Sequence, residues 1–234
     1  MSIMSNPKHV AIILDGNRRF AKRILAKPWE GHEFGAKKVD KMLRWCSELD
    51  IKEVTLFAFS VDNFNRPKTE FNFLMKVFRD SFETLKKNKE IHEKKIQINF
   101  LGRLEMFPEY LVSTMKEIMQ ATKNYDSFIV NFCMAYGGRE EIADAARKMA
   151  SDLASKKIKP EAVNPTTFSN YLYMNSEPDI IIRTGGEKRL SGFLLYQSSY
   201  SELFFLEKTW PEFEKEDLQN CVEEFKQRER RFGS

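Results

Sequence analysis

Buried-strand patterns alternate with amphipathic-helix patterns along almost the whole chain. Short continuous apolar runs are typical of strands buried on both faces, and six of them occur, at residues 10–14, 54–59, 96–101, 128–135, 179–182 and 203–206. Apolar residues recurring at helical spacing predict helices between the strands, at residues 35–49, 69–93, 108–123, 140–154, 165–172 and 214–229. The chain therefore has the element order of an α/β protein.

This alternation predicts a single domain over residues 1–234, with a central, mostly parallel six-stranded sheet flanked by helices. No repeat and no low-complexity linker divides the sequence. The first residues, MSIMSNPK, lack the apolar segment of a signal peptide, and no apolar run approaches the roughly 20 residues that cross a bilayer. We expect a cytoplasmic protein that at most contacts a membrane surface peripherally.

Polar clusters follow three of the predicted strands at the point where each strand ends. They occupy residues 15–19, 60–66 and 183–191. Ligands of open parallel sheets bind beyond the carboxyl ends of the strands. The three clusters are therefore expected to meet in a single active site.

The first cluster combines a carboxylate, two small residues and two cations. Asp15 could be a ligand of Mg²⁺, a hard ion that takes oxygen ligands, or it could only cap the next helix. Gly16 and Asn17 would add backbone N–H groups for an anion at a helix start. Arg18 and Arg19 could bind phosphate bidentately. Adjacent helix positions face about 100° apart, so only one of the two is expected to point inward.

The cluster in IIIRTGGEKRLSG fits a second anion site. Arg183, Arg189 and Ser191 surround two glycines, and the segment matches neither the P-loop pattern nor GxGxxG. The glycines could also form no more than a turn. Glu202 precedes the last predicted strand and would supply a second acidic group near the metal.

The cluster in FSVDNFNRP contains hydroxyl, amide and guanidinium groups, on Ser60, Asn63 and Arg66. Asparagines followed by proline could indicate only a turn. Beside the other two clusters, however, these side chains are interpreted as groups that position a substrate.

Composition narrows the choice of ligand. Hydrophobic residues make up 42% of the chain, and its 20 phenylalanines would suit an apolar cavity as well as a core. The net charge of +4 does not require nucleic acid, and no nucleic-acid motif is present. Three scattered cysteines provide no disulfide or zinc framework. Two anion sites, one metal and many phenylalanines together suggest a reaction of lipid-like diphosphates.

At this point the motifs can be compared with a known family. HVAIILDGNRRFAK, EGH, FAFSVDNFNRP, NFCMAYGGRE, IIIRTGGEKRLSGFLLYQSSYSELFF, WPEF and RERRFG follow one another from residue 10 to residue 233. In this order they resemble the cis-prenyltransferases, which are the undecaprenyl and dehydrodolichyl diphosphate synthases. The form NRRF is more similar to archaeal and eukaryotic members than to bacterial ones.

The resemblance implies a reaction. An allylic diphosphate, such as farnesyl or geranylgeranyl diphosphate, loses pyrophosphate, isopentenyl diphosphate attacks, and loss of a proton leaves a Z double bond. The cycle repeats, requires Mg²⁺ and makes polyprenyl diphosphates for polyprenol- or dolichol-type glycosyl carrier lipids. The chain lacks the DDxxD pair of the trans enzymes, as this family does.

The same resemblance assigns roles to the first two clusters. Asp15 matches the essential aspartate that acts with Mg²⁺. The allylic diphosphate would be held by Gly16, Asn17, Arg18, Arg19 and, near the leaving group, His32, unless His32 is a surface residue at a helix end. Substrate alignment and proton loss would involve Asn63 and Arg66, with Ser60 in the same network.

The later motifs imply an isopentenyl diphosphate site and a second subunit. Arg183, Arg189 and Ser191 match the isopentenyl diphosphate site, and Glu202 matches a second metal-associated carboxylate. The C-terminal RxG motif, with Arg231 and Gly233, would reach that site across a homodimer interface. Without the resemblance the tail would be interpreted as a frayed basic terminus.

The family fold also implies a hydrophobic product tunnel. We expect its lining to include Ala58, Phe78, Phe82, Phe128, Phe132 and Met134. Product length stays open, because the phenylalanines would narrow the tunnel while an extended second long helix would lengthen it. One departure is Pro28, where the family usually has an arginine. Proline has no charge and no N–H, so Lys27 could take that role or the allylic loop could shift.

Two other functions are compatible with parts of the sequence. The chain could be a non-catalytic partner subunit of a cis-prenyltransferase complex, although Asp15, Asn63 and Arg183 are all present. It could also be a Mg²⁺-dependent phosphatase, although that class usually has a DxD pattern and position 17 is Asn.

Overall fold

Six parallel strands form one sheet in the computed structural model, which describes residues 5–228. The strands are β1 His9–Ile13, β2 Glu53–Ser60, β3 Ile96–Leu101, β4 Phe128–Tyr136, β5 Ile180–Arg183 and β6 Glu202–Phe205. Their spatial order is β3-β4-β2-β1-β5-β6, and every neighbouring pair is parallel. The predicted α/β fold with a six-stranded parallel sheet is confirmed.

Eight α-helices connect the strands in the described part of the chain. They are α1 Asn17–Arg23, α2 Gly31–Glu48, α3 Lys68–Lys87, α4 Lys89–Glu93, α5 Glu109–Thr122, α6 Gly138–Ala154, α7 Pro165–Ser169 and α8 Lys215–Gln227. Side chains of β1 alternate between two cores: Val10 and Ile12 join the apolar faces of α2, α3, α5 and α8. Ala11 and Ile13 pack with Phe193 and Leu194 on the other face, so β1 is buried on both faces as its sequence predicts.

The helix predicted over residues 69–93 is two helices. Its apolar periodicity continues, but Asn88 adopts an extended backbone and its side chain accepts a hydrogen bond from the Glu90 N–H at 2.9 Å. Asn88 thereby ends α3 and caps α4. The helix α3 begins at Lys68, directly after Pro67 and one residue before the predicted start. None of the helices described over residues 5–228 has the length and apolar character of a transmembrane span.

The strand order determines which polar clusters can meet. β2, β1 and β5 are neighbours, and Ile13 is level with Phe57 and with Arg183. The segments that follow these three strands therefore share one edge of the sheet, as predicted. Glu202 is a different case, because it is the first residue of β6 and is level with Ile180, the first residue of β5.

Candidate active site

Asp15 is the point where the first and third polar clusters meet. Its Oδ2 atom lies 2.9 Å from Nη2 of Arg183, and its Oδ1 atom lies 3.2 Å from Nη2 of Arg19. Oδ1 also accepts a hydrogen bond from the Gly16 N–H at 2.6 Å. The Asp15 side chain keeps 29% of its surface exposed. A partly open carboxylate held between two guanidiniums is thus the centre of a strongly charged site.

Arg183 organises the segment that follows β5. Its buried guanidinium donates through Nη1 to Oγ of Ser191 at 2.8 Å and to the carbonyl of Arg189. Its Nε is buried and has no hydrogen-bond acceptor within the described residues. The Arg189 side chain, in contrast, is 62% exposed and pairs with Glu187. The structure therefore brings Arg183 and Ser191 together with Asp15 and leaves Arg189 at the rim of the cavity.

Gly185, two residues after Arg183, makes room for Arg19. Gly185 has φ +87°, and a Cβ atom there would lie 2.6 Å from Nη2 of Arg19. The N–H groups of Gly185 and Gly186 donate to the carbonyls of Lys208 and Leu206, at 2.7 and 2.8 Å. Since these donors are already used, the glycines contribute shape, and the arginines contribute the positive charge for an anion.

The second half of the site is an ion cluster around Glu70, a residue that the sequence analysis did not select. The Glu70 carboxylate is buried, with 2% of the residue exposed. Its Oε1 atom accepts from Nη1 of Arg66 at 2.5 Å and lies 3.5 Å from Nε2 of His32 and 3.9 Å from Nε of Arg18. A carboxylate four residues after an arginine at a helix start is the one signal that could have found it.

Both arginines of NRRF have partners in the site. Arg19 lies against Asp15 and Arg18 lies near Glu70, and each keeps about half of its side chain exposed, 48% and 52%. Neither guanidinium is among the groups that line the cavity described below. The expectation that only one of the two arginines points inward therefore stays a prediction.

His32 is held in its neutral form. Burial and, secondly, the charge of Arg66 lower the pKa of His32 to about 4. Its Nε2 atom is 3.3 Å from Nη1 of Arg66. Burial also opposes ionisation of Glu70, but the hydrogen bond and charge of Arg66 outweigh it, so the pKa of Glu70 lies below its ordinary value. His32 is half-buried and lines the cavity; it is not a surface residue at a helix end.

Ser60 and Asn63 fix each other at the end of β2. A short 3₁₀ helix, Val61–Asn65, follows Ser60, whose N–H donates to Oδ1 of Asn63 at 3.1 Å. With its oxygen engaged, the Asn63 amide has its N–H₂ group available to donate to a ligand. Both residues line the same cavity as Arg66.

The cavity connects this charged rim to an apolar interior. It has a volume of about 870 Å³. Its walls include five of the six residues predicted to line a tunnel: Ala58, Phe78, Phe82, Phe132 and Met134. The sixth prediction, Phe128, is wrong for this cavity, because Phe128 begins β4 and lies at the amino end of the strand. Phe128 lines a neighbouring cavity of about 320 Å³, and Phe132 lines both.

The structure does not place Glu202 beside Asp15. Glu202 begins β6, at the edge of the sheet opposite the one that carries Asp15, and its Oε2 atom pairs with Nη1 of Arg228 at 2.5 Å. The prediction that the two carboxylates share a metal is therefore wrong within one chain. Among residues 5–228 no group of three or more His, Cys, Asp or Glu side chains could hold a metal ion by itself. The predicted site residues Arg231 and Gly233 lie outside the described residues.

The structure also shows the surroundings of the three cysteines, of Pro28 and of Lys27. Cys46, Cys133 and Cys221 are all buried free thiols, as expected of small apolar residues. Pro28 begins a 3₁₀ helix, Pro28–Glu30, directly before α2. Lys27 is exposed, and its ammonium lies 6.0 Å from the centre of the Trp29 ring.

Comparisons with known proteins give one consistent result. Residues 13–233 match a family model described as "putative undecaprenyl diphosphate synthase". A Thermococcus kodakarensis protein is 48% identical over 97% of this chain and 87% of its own length. A Methanopyrus kandleri protein is 44% identical over 97% of this chain and 84% of its own length. Both are named tritrans,polycis-undecaprenyl-diphosphate synthase (geranylgeranyl-diphosphate specific).

Solved structures agree with these matches. Lavandulyl diphosphate synthase from Lavandula x intermedia, in complex with dimethylallyl diphosphate, superposes with a TM-score of 0.93 at 34% identity, over 98% of this chain and 99% of that chain. A probable undecaprenyl diphosphate synthase from Campylobacter jejuni gives a TM-score of 0.81 at 29% identity, over 99% of this chain and 100% of that chain. The fold of this chain thus recurs over almost its whole length in both solved structures.

Proposed function

The chain belongs to the undecaprenyl diphosphate synthase family of cis-prenyltransferases, and from that premise we propose how its residues, a magnesium ion and a second subunit take part. The enzyme condenses isopentenyl diphosphate with an allylic diphosphate and makes a Z-polyprenyl diphosphate. The comparisons do not favour the non-catalytic subunit or the phosphatase.

The observation that carries the proposal is the contact between Asp15 and Arg183 at the mouth of an apolar cavity. It supports two diphosphate sites side by side, with room for an apolar chain behind them. Arg18, Arg19 and the backbone of Asn17 would bind the allylic diphosphate, while Gly16, whose N–H donates to Asp15, would supply the turn before α1. Arg183, Ser191 and Arg189 would bind isopentenyl diphosphate, with Arg189 turning inward from the rim.

Mg²⁺ fits this donor set as an ion shared with the substrate. Mg²⁺ usually takes one or two carboxylates, several waters and phosphate oxygens rather than an all-protein cage. Asp15 is one partly exposed carboxylate of this kind, so it would hold the ion together with diphosphate oxygens. When bound, the ion would offset the negative charge of the diphosphate.

The residues around the ion have separate tasks. Arg19 and Arg183 would stabilise the charge that develops as the carbon–oxygen bond to the leaving diphosphate breaks. Arg66 is fixed by Glu70 and faces the same cavity, beside the free N–H₂ group of Asn63. Asn63, Arg66 and Ser60 would align isopentenyl diphosphate so that the new bond forms before the proton leaves. His32 would approach the leaving group as a neutral hydrogen-bonding group.

Geranylgeranyl diphosphate is the proposed primer, because the archaeal relatives are named as specific for it. The proposed product is an undecaprenyl-length diphosphate that serves as a glycosyl carrier lipid. An apolar interior that includes Phe78, Phe82 and Phe132 suits the growing chain. The proposed location is the cytoplasm, with peripheral membrane contact for product release.

A homodimer is proposed from features near β6. This edge strand and the segment before it expose three large apolar side chains, those of Leu195, Tyr200 and Leu203. Such a surface suits a second copy of the chain. Arg228, the last described residue, pairs with Glu202, which lies at the edge of the sheet opposite Asp15. In a dimer, the tail and Glu202 would act at the site of the neighbouring subunit.

Product analysis of the purified chain tests the function. Incubation with geranylgeranyl diphosphate, isopentenyl diphosphate and Mg²⁺ should give long Z-polyprenyl diphosphates in chromatography, and chelation of Mg²⁺ should abolish them. Farnesyl diphosphate in parallel would show the primer preference. Absence of product from every primer would contradict the proposal, and release of phosphate from a generic ester instead would favour the phosphatase.

A further inference from the structure

An exposed apolar patch lies on α1 and the start of α2. It consists of Phe20, Ile24, Leu25 and Phe34, and we call it the α1–α2 patch. The rings of Phe20 and Phe34 are in contact, with their centres 5.3 Å apart. Ile24, Leu25 and Phe34 are 46%, 96% and 44% exposed. Ile24 follows Phe20 by one helical turn and Leu25 comes next in the chain, so the patch combines a ring pair with two neighbouring exposed apolar residues.

Leu25 is the most unusual member of the patch. Its φ of 58° lies in the left-handed region, which is costly for a residue with a side chain. Backbone hydrogen bonds hold it there: its N–H donates to the Lys22 carbonyl at 3.2 Å, and the Ala26 N–H donates to the Ala21 carbonyl at 2.9 Å. The side chain gains almost no burial within the chain in return. The left-handed residue ends α1 in a common form of helix C-terminus, and it leaves a large apolar side chain exposed at that turn.

The surroundings of the patch are basic. Residues 18–34 contain five Lys and Arg side chains and two carboxylates, a net charge of +3. Arg23 is neutralised by Glu212, with 2.5 Å between Nη2 and Oε2, whereas Lys22 is exposed and has no ion pair within the described part of the chain. Apolar side chains framed by lysine and arginine are typical of surfaces that bind anionic lipid.

The patch also borders the polar end of the cavity. His32, Gly35 and Ala36 of α2 line that cavity, while Phe34, between them in sequence, is exposed. We propose that the α1–α2 patch docks the enzyme on an anionic phospholipid bilayer. Leu25 and Ile24 enter the boundary between headgroups and acyl chains, and Lys22 faces the headgroups. The role in product delivery rests on the proposed function; the docking itself does not.

Vesicle flotation of the full chain tests the docking. The probes are vesicles of phosphatidylcholine with and without phosphatidylglycerol. Leu25→Asn and Ile24→Asn should each weaken binding to the mixed vesicles about 10-fold, the scale for removing one large apolar side chain from the lipid. Asn accepts the left-handed backbone, so Leu25→Asn should keep the melting temperature. Val163→Asn is the matched control, since Val163 is as exposed as Ile24, both at 46%, and it should bind like the wild type.

Measurements at low and high salt distinguish the electrostatic contribution to vesicle binding from the apolar one. Lys22→Glu should weaken binding only to the anionic vesicles, and the loss should fade at high ionic strength because salt screens it. The loss in Leu25→Asn should persist there. Absence of wild-type binding to anionic vesicles, or equal losses in Leu25→Asn and Val163→Asn, would overturn the proposal. So would a change of oligomeric mass in Leu25→Asn without lipid, which would make the patch a protein interface.

Turnover in detergent is measured in the same protein preparations. It distinguishes a failure of the membrane docking from a failure of the proposed catalytic function. Leu25→Asn should turn over at the wild-type rate there, because Leu25 lies outside the site. An inactive wild type that floats with anionic vesicles would refute the proposed function alone. An active wild type that does not float would refute the docking alone.

Discussion

At the residue scale, the site depends on charges that neutralise one another before substrate arrives. Asp15 lies between Arg19 and Arg183, and Glu70 lies between Arg66 and His32. Each carboxylate fixes an arginine that would otherwise be mobile, so the positive groups are in place before diphosphate binds. Such preorganisation is the main source of electrostatic catalysis.

Arg189 should act on one substrate only. It is exposed at the rim and its guanidinium pairs with Glu187, so its loss should leave the Asp15 centre intact. Arg189→Ala should raise the KM for isopentenyl diphosphate about 10-fold, the scale of one hydrogen bond to a charged group, and hardly change the KM for the allylic substrate. Arg147→Ala, which removes another exposed arginine paired with a carboxylate, should change neither constant. An equal rise in both constants for Arg189→Ala would refute the assignment.

His32 should make stability depend on pH. Its pKa is about 4 in the folded chain against about 6.5 when unfolded. Between these values only the unfolded chain binds the extra proton. The free energy of unfolding should therefore rise from pH 4 to pH 6.5, with at most about 3 kcal/mol from His32. Denaturant unfolding across this range should show a smaller rise for His32→Gln. The same slope in both proteins would contradict the buried neutral state.

At the element scale, the bounds of the strands could be predicted from the sequence, whereas the end of α3 could not. The ends of β3 match the prediction and those of the other strands differ by at most one residue, because buried apolar runs stop where polar clusters begin. The break at Asn88 escaped the pattern, since apolar spacing continues through it and only the local cap ends α3. Glu70 could not be selected from the sequence, because its role appears only once α2 brings His32 to it. The position of Glu202 could have been predicted from the strand direction. A residue at the start of a parallel strand lies at the edge of the sheet opposite the carboxyl ends, where Asp15 lies.

The wall between the two cavities should influence product length. Phe132 on β4 lines both cavities and stacks on Phe100, with ring centres 5.5 Å apart. Phe132→Ala should join the cavities and shift products to longer chains, at a loss of about 3–5 kcal/mol in stability. Phe128→Ala is the control, since Phe128 is equally buried, both at 8%, but lines only the smaller cavity. Unchanged product length in a folded Phe132→Ala enzyme would show that this wall does not limit the chain.

At the scale of the whole molecule, the parallel sheet places the predicted site residues at two opposite edges. Asp15, Arg66 and Arg183 lie at one edge, while Glu202 and Arg228, the last described residue, lie at the other. This separation is the reason why a homodimer is proposed to complete the site.

Mixed dimers test that arrangement. Asp15→Ala and Arg231→Ala should each be nearly inactive. After subunit exchange, one site of a mixed dimer would combine an intact Asp15 with an intact Arg231, so part of the activity should return. If mass spectrometry shows exchange and activity stays at the level of the parents, the tail does not act across the interface.

The central claim is that Asp15 is the carboxylate on which transfer depends, and the turnover number of Asp15→Ala tests it most directly. With both substrates and Mg²⁺ saturating, kcat should fall by about 10²–10⁴, the scale for losing a principal electrostatic group. Circular dichroism should show the wild-type fold, since Asp15 follows β1 and contributes nothing to its buried core. A folded Asp15→Ala enzyme with kcat within about threefold of the wild type, far below the loss expected for such a group, would contradict the account.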